Sequence, residues 1–143
     1  MVVRRPVDPI ARFMQEHDVT LMHLSSLNRA TRALVEHGYS KETALRVRDA
    51  VGFLADEVDV HNRHEEEALF PVLERYVEGP TDVMREEHRA LKRELKKLRG
   101  AVKKLDAGRP RAATLKAVRT HAQTVLQKFV NHIHKENNIL FPL

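Results

Sequence analysis

The stretch HNRHEEEALFP at residues 61–71 is answered by HIHKENNILFP at residues 132–142, and five of the eleven positions agree: the leading His, the Glu four residues on, and the closing Leu-Phe-Pro. Histidine and glutamate both bind metal ions. Side chains four apart lie on one face of a helix, so His61 and Glu65 can aim at one point, as can His132 and Glu136. Two further histidines obey the same interval: His17 to His88, His61 to His132 and Glu65 to Glu136 each span 71 residues.

Four imidazoles and two carboxylates related by a twofold form a natural site for two metal ions, which recur about 3.5 to 4 Å apart. Each ion takes two terminal histidines and a share in both glutamates. An octahedral ion then has room for a bridging oxygen and an exchangeable position where a small molecule binds. A buried glutamate without compensation costs several kcal/mol, and buried histidines need partners. Metal binding offsets these costs together; a proton-sharing His-Glu network is the competing arrangement. His64 and Glu57, each within a turn of His61, are the candidates for orienting a ligand from outside.

These residues require helices to carry them. Asp8 and Pro9 suit an N-cap and first helical position, and Gly38 suits a stop. Ser40 can cap a second helix that runs to Pro71 and a turn or two beyond. EGPTD and DAGRP separate the remaining two. The core-facing seams read Ile10, Phe13, His17, Thr20, Leu24, Leu27, Thr31, Leu34, then Val47, Val51, Leu54, Val58, His61, Glu65, Leu69. The third helix gives Thr81, Met84, His88, Leu91, Leu95, Leu98, Val102, Leu105, and the fourth Val118, Ala122, Val125, Phe129, His132, Glu136, Leu140. Helices of roughly 25 to 30 residues with short loops predict an all-α fold, an antiparallel up-down-up-down four-helix bundle. The repeat adds a pseudo-twofold axis relating residues 8–78 to 79–143 within one domain spanning 1–143.

Composition narrows the chemistry. There is no cysteine, so disulfides, thiolate ligands and cysteine nucleophiles are excluded. The start has no apolar signal region, and no stretch approaches the roughly 18 apolar residues of a membrane span; a cytoplasmic protein is expected. The net charge of +5 concentrates between Lys92 and Lys104. Leucines thread that run at helical spacing, so the cations read as the solvated face of an amphipathic helix rather than a nucleic-acid site. Imidazole and carboxylate together suit several metals. Iron leads because carboxylate bridges and open positions suit redox chemistry with oxygen.

The order His17, His61-x3-Glu65, His88, His132-x3-Glu136, with Leu-Phe-Pro after each His-x3-Glu, resembles the hemerythrin-like (HHE cation-binding) domain over nearly the whole chain. The resemblance implies a non-haem di-iron centre, two iron ions with carboxylate bridges and a bridging oxo or hydroxo group, that binds or reacts with dioxygen, nitric oxide or peroxide; some members sense or handle iron. The oxygen-carrying members place another histidine on the third helix, one turn from its partner. Here those positions are Met84 and Lys92, which weighs against reversible oxygen carriage. Ferritin-like di-iron bundles need Glu-x-x-His, which this chain lacks.

Two classes of function stay open: a module that binds or senses a small molecule, and an enzyme that disproportionates peroxide or reduces dioxygen. Iron delivery for Fe-S repair is disfavoured by the lack of a cysteine-bearing segment. The first copy continues through VLERYVEG whereas the second stops at Leu143, the pattern of a domain trimmed from a longer chain.

Overall fold

Helix punctuation read from the sequence is realised at Asp8, Gly38, Ser40 and the EGPTD connection. In a computed structural model, which describes residues 8–106 and 110–143, α1 spans Pro9–His37. The Asp8 side chain accepts a bond from the Ile10 N–H, and Gly38 ends the helix with φ at 82°, a left-handed conformation that a side chain disfavours. α2 spans Lys41–His64, capped by the Ser40 hydroxyl, which accepts from the Thr43 N–H at 3.1 Å. Gly79, at φ 103°, turns the chain into α4, Pro80–Lys103. Its continuation is a short 3-10 turn, Lys104–Asp106. Of the expected DAGRP connection, residues 107–109 lie outside the described residues. α5 spans Ala112–Lys135.

Two of the long helices pass into wider turns. α2 passes into a π-helical turn, Glu65–Leu69, then into the short α3, Phe70–Leu73. α5 passes into a second π-helical turn, Glu136–Leu140. A proline inside a regular helix clashes with the carbonyl four residues before it; for Pro71 and Pro142 these belong to Glu67 and Asn138. The wider turn falls just ahead of each proline, and the Phe141 N–H reaches back five residues to the Glu136 carbonyl at 2.8 Å.

The result is all-helical, with four long helices and no strand among the described residues. α1 packs on α2 and α5, and α4 packs on the same two, which closes a ring of four. Arg119 on α5 ties that seam to α1, donating to the Asn28 carbonyl at 3.1 Å, the Asn28 amide oxygen at 2.8 Å and the Thr31 hydroxyl at 3.0 Å. Apolar burial forms two clusters. The larger includes Leu27, Leu34, Leu54, Leu98 and Val125; the smaller is Phe70, Met84 and Leu140. His88 falls between Met84 of one and Leu91 of the other, so the predicted site residues form a polar layer between them.

Two seam positions differ from the sequence reading. Ile10 is only half-buried, because it lies in the opening turn of α1. Leu69 is half-buried, while Phe70 beside it is fully buried. The inward face moves on by one position at the end of this π-helical turn, whereas at the end of the matching turn in α5 Leu140 stays buried and Phe141 is half-buried. No helix is long and apolar enough to cross a membrane among the described residues.

Candidate metal centre

His17, His61, His88 and His132 expose 2, 5, 6 and 3 % of their surface, and Glu65 and Glu136 expose none. One group of potential donor atoms joins His17, His61, Glu65 and Glu136; a second joins His88, His132 and Glu136. All six predicted residues therefore meet, with Glu136 common to both groups. α1 contributes His17, α2 and its π turn His61 and Glu65, α4 His88, and α5 and its π turn His132 and Glu136. Because the π turn begins at the glutamate, His61 and Glu65 keep the regular one-turn spacing that puts them on the same face.

The tautomer of each ring follows from its outer nitrogen. His17 Nδ1 lies 2.8 Å from the Asn137 amide oxygen, His61 Nδ1 3.2 Å from a Glu16 oxygen, His88 Nδ1 3.1 Å from a Glu66 oxygen and His132 Nδ1 3.4 Å from a Glu87 oxygen. Each partner is an acceptor, so each Nδ1 is the donor and, in the neutral ring, each Nε2 keeps its lone pair. Those lone pairs face inward, with Nε2 atoms 3.1 Å apart in the pair His17–His61 and again in His88–His132. Two lone pairs at that distance repel unless a cation or a proton sits between them. Two metal–nitrogen bonds of about 2.1 Å at about a right angle separate their nitrogens by about 3 Å.

The carboxylates carry the same signature. Glu65 approaches His61 Nε2 at 2.5 Å, and Glu136 approaches His17 at 3.0 Å, His132 at 3.2 Å and His88 at 3.9 Å. Distance alone would permit hydrogen bonds, yet all four oxygens of the two glutamates are buried without a partner of hydrogen-bonding geometry. Buried polar atoms left in this way are rare. Oxygens and nitrogens aimed at shared points, rather than at each other's hydrogens, fit cation binding, and neutral imidazole plus carboxylate is a donor set for a transition metal.

Burial pushes the Glu65 carboxyl well above the usual range, and the adjacent Glu136 carboxylate pushes it further. Burial pushes Glu136 up too, but Glu65, His132 and His17 outweigh it and hold that carboxyl well below its ordinary value. The two carboxyls are thus pushed in opposite directions. Burial lowers His61 and His88, and the neighbouring imidazoles of His17 and His132 lower them further, which favours the neutral, metal-ligating form. Burial lowers His132 as well, yet Glu136 and Glu87 more than reverse it, so the net shift is upward.

Aromatic rings close the layer from below. Phe70 stacks on His88 with centroids 5.7 Å apart, and Phe141 on His17 at 5.5 Å. Two openings reach the layer from its sides. A cavity of about 370 Å³ is lined by Glu16, Thr20, Glu57 and His61. A groove of about 850 Å³ between α2 and α4 ends at Glu66 and His88.

The outer ring is not the one expected. His64 is exposed, and among the described residues no hydrogen bond joins it to the cluster, because it points away from the layer that His61 faces. Glu57 stands on the wall of the cavity beside His61 without bonding the ring. The Nδ1 acceptors are instead Glu16, Glu66, Glu87 and Asn137. A signal for them existed: Glu16-His17 and Glu87-His88 form the same dipeptide 71 residues apart, and Glu66 and Asn137 occupy matching places after the paired glutamates. Each Glu next to a histidine, however, serves a histidine of the neighbouring helix, which spacing along one helix does not disclose.

A model of the Hemerythrin HHE cation binding domain matches residues 8–143. Similar curated proteins include those named iron-sulfur cluster repair protein YtfE from Yersinia pseudotuberculosis serotype IB (strain PB1/+) and from Yersinia pestis (strain Pestoides F). Each is 26% identical over 137 residues, covering 93% of this chain and 61% of the relative. The chain thus spans about three fifths of the length of the relatives it matches.

Proposed function

This chain belongs to the hemerythrin HHE cation-binding domain family, and from that premise we propose that it holds two iron ions and uses them to bind or sense dioxygen, nitric oxide or peroxide. His17 and His61 would serve one ion and His88 and His132 the other, with Glu65, Glu136 and an oxo or hydroxo group between them. The observation that carries the reading is the pair of inward-facing imidazole contacts at 3.1 Å, with every Nδ1 proton directed outward to an oxygen. A twofold between the two helical hairpins, run up-down-up-down within one domain, is part of the same proposal. It is supported by His17, early in α1, meeting His61, late in α2, just as His88 meets His132. A cytoplasmic setting belongs to the proposal as well.

Two irons held there would supply redox-active positions for a small molecule. The protein's own residues do the rest. The four Nδ1–H donors keep the rings turned inward, Phe70 and Phe141 cover the site with apolar surface, and the cavity beside His61 gives a small molecule a way in. Met84, buried, and Lys92, whose side chain is 80 % exposed and 4.0 Å from Asp59, stand one turn either side of His88. Neither adds an imidazole, so two histidines would be available to each ion, leaving room for a small molecule.

A second reading, iron handling, is favoured by the names of the relatives, which are iron-sulfur cluster repair proteins. An enzyme that disproportionates peroxide or reduces dioxygen is the third. Purified protein loaded anaerobically with ferrous iron tests all three. Elemental analysis should find about two irons per chain, as a two-metal site requires. A reversible spectral change with dioxygen or nitric oxide supports binding or sensing, steady oxygen release from peroxide supports the enzyme, and transfer of iron to an acceptor supports handling. A folded chain that takes up no metal defeats every one of them.

A further inference from the structure

The 71-residue interval lets the two halves of the outer ring be compared residue by residue. Glu16 and Glu87 correspond, and they accept from His61 and His132 at 3.2 and 3.4 Å. Glu66 and Asn137 also correspond, and they accept from His88 and His17 at 3.1 and 2.8 Å. Three ligand-candidate histidines therefore rest on a carboxylate and the fourth on a neutral amide. We propose that Glu66 is a positioning residue that makes His88–His132 the tighter of the two metal positions, and that Asn137 leaves His17–His61 as the weaker, exchangeable one. The inference rests on the metal-centre reading above.

The chemistry runs through the imidazole. A carboxylate accepting the Nδ1–H draws that proton outward and makes Nε2 a stronger donor to metal, and losing such a partner typically costs about 10- to 100-fold in metal affinity. An amide oxygen fixes the ring's orientation equally well, but it lacks the charge that strengthens the bond. The negative charge of Glu66 sits 3.1 Å from His88 Nδ1, whereas Asn137 brings no charge to His17.

Two features act the other way. Lys135 donates to Glu87 at 2.7 Å, which weakens the pull of Glu87 on His132. That lysine side chain is 45 % exposed and binds the carboxylate oxygen remote from the ring, so solvent screens much of its effect. Glu65 approaches His61 and joins only the donor group of His17 and His61, whereas Glu136 joins both; this favours the His17–His61 position, and the order of the two zinc steps weighs it against the directly bonded charge that Asn137 lacks.

Calorimetric titration of the metal-free full chain with Zn²⁺ alone, near neutral pH, tests this. Zinc is redox-inert, so the readout is affinity, not activity. The wild type should take up two ions in resolved steps. Glu66→Gln should weaken the tighter step about 10- to 100-fold and bring the two steps together, while Asn137→Asp should strengthen the weaker step. His88→Gln should remove the tight step, and His17→Gln the weak one. Both outer-ring changes are near-isosteric, and circular dichroism of the metal-free variants checks folding; should one fail to fold, the other still reads the step it targets. Two equal steps in the wild type, or a Glu66→Gln protein that retains its tight step, overturn the inference and leave the metal centre standing. A folded wild type that binds no zinc and no iron overturns the metal-centre reading and this inference together.

Discussion

His17 and His61 face each other across α1 and α2 with Nε2 atoms 3.1 Å apart, while their Nδ1 atoms turn away to Asn137 and Glu16. The same relationship joins His88 and His132. Each pair needs something positive between its nitrogens, and that requirement leads to the first expectation.

Metal should stabilise the fold strongly. A ligand present at 1,000 times its dissociation constant and bound only by the native state adds about 4.1 kcal/mol. For a domain of this size that corresponds to a melting temperature higher by about 10 °C or more. Scanning calorimetry with and without a chelator measures it; equal melting temperatures would show that the polar layer needs no ion.

The pH dependence of the metal-free protein should have a definite sign. Glu65 has its folded pKa raised, first by burial and then by Glu136. Its contribution is complete below the unfolded value of 4.5 and is lost as pH rises through the raised folded value. His61 and His88 have lowered folded values, again first from burial, so their contribution is present above the unfolded 6.5 and is lost as pH falls through the folded ones. Glu65→Gln removes the first dependence and not the second. Urea melts across pH should show a metal-free variant that loses less stability than the parent on the alkaline side. The same variant should bind metal poorly, because a neutral amide replaces a bridging carboxylate.

Arg119→Ala should loosen the bundle away from the site. It removes three bonds from a charged donor to Asn28 and Thr31, and hydrogen bonds to charged groups are worth about 1.5 to 3 kcal/mol each at most. We expect a loss of about 2 to 3 kcal/mol in denaturant melts with the metal content per chain unchanged. A loss of metal would mean that the α1–α5 seam positions His17 as well.

Phe70→Ala should act on both stability and site. The ring is fully buried and stacks on His88, and removing a buried phenylalanine costs about 3 to 5 kcal/mol. Metal should also bind more weakly, since His88 loses the surface that holds its ring. Phe70→Leu, which retains most of the volume, should restore much of the stability and only part of the affinity. If both variants bind metal as the parent does, the stacking has no part in placing the histidine.

Sequence alone determined the helices, their caps at Asp8 and Ser40, and the faces carrying His17, His61, Glu65, His88, His132 and Glu136. All of these depend on residues within a few turns of one another, where spacing and side-chain type decide the outcome. It also disclosed the 71-residue interval, because a repeat is a property of the string. The tertiary structure decided what the interval could not. Past the π-helical turn at Glu65 it is Phe70, not Leu69, that enters the core, whereas past the matching turn at Glu136 Leu140 stays buried and Phe141 is half-buried. The outer ring was decided there too. Glu16 sits beside His17 in sequence yet holds His61, and Asn137 holds His17 from another helix. Helix packing brings those partners together, and no local spacing records it. Among the described residues His64 and Glu57, the nearer neighbours along the helix, make no hydrogen bond to the His61 ring, whose Nδ1 partner is Glu16.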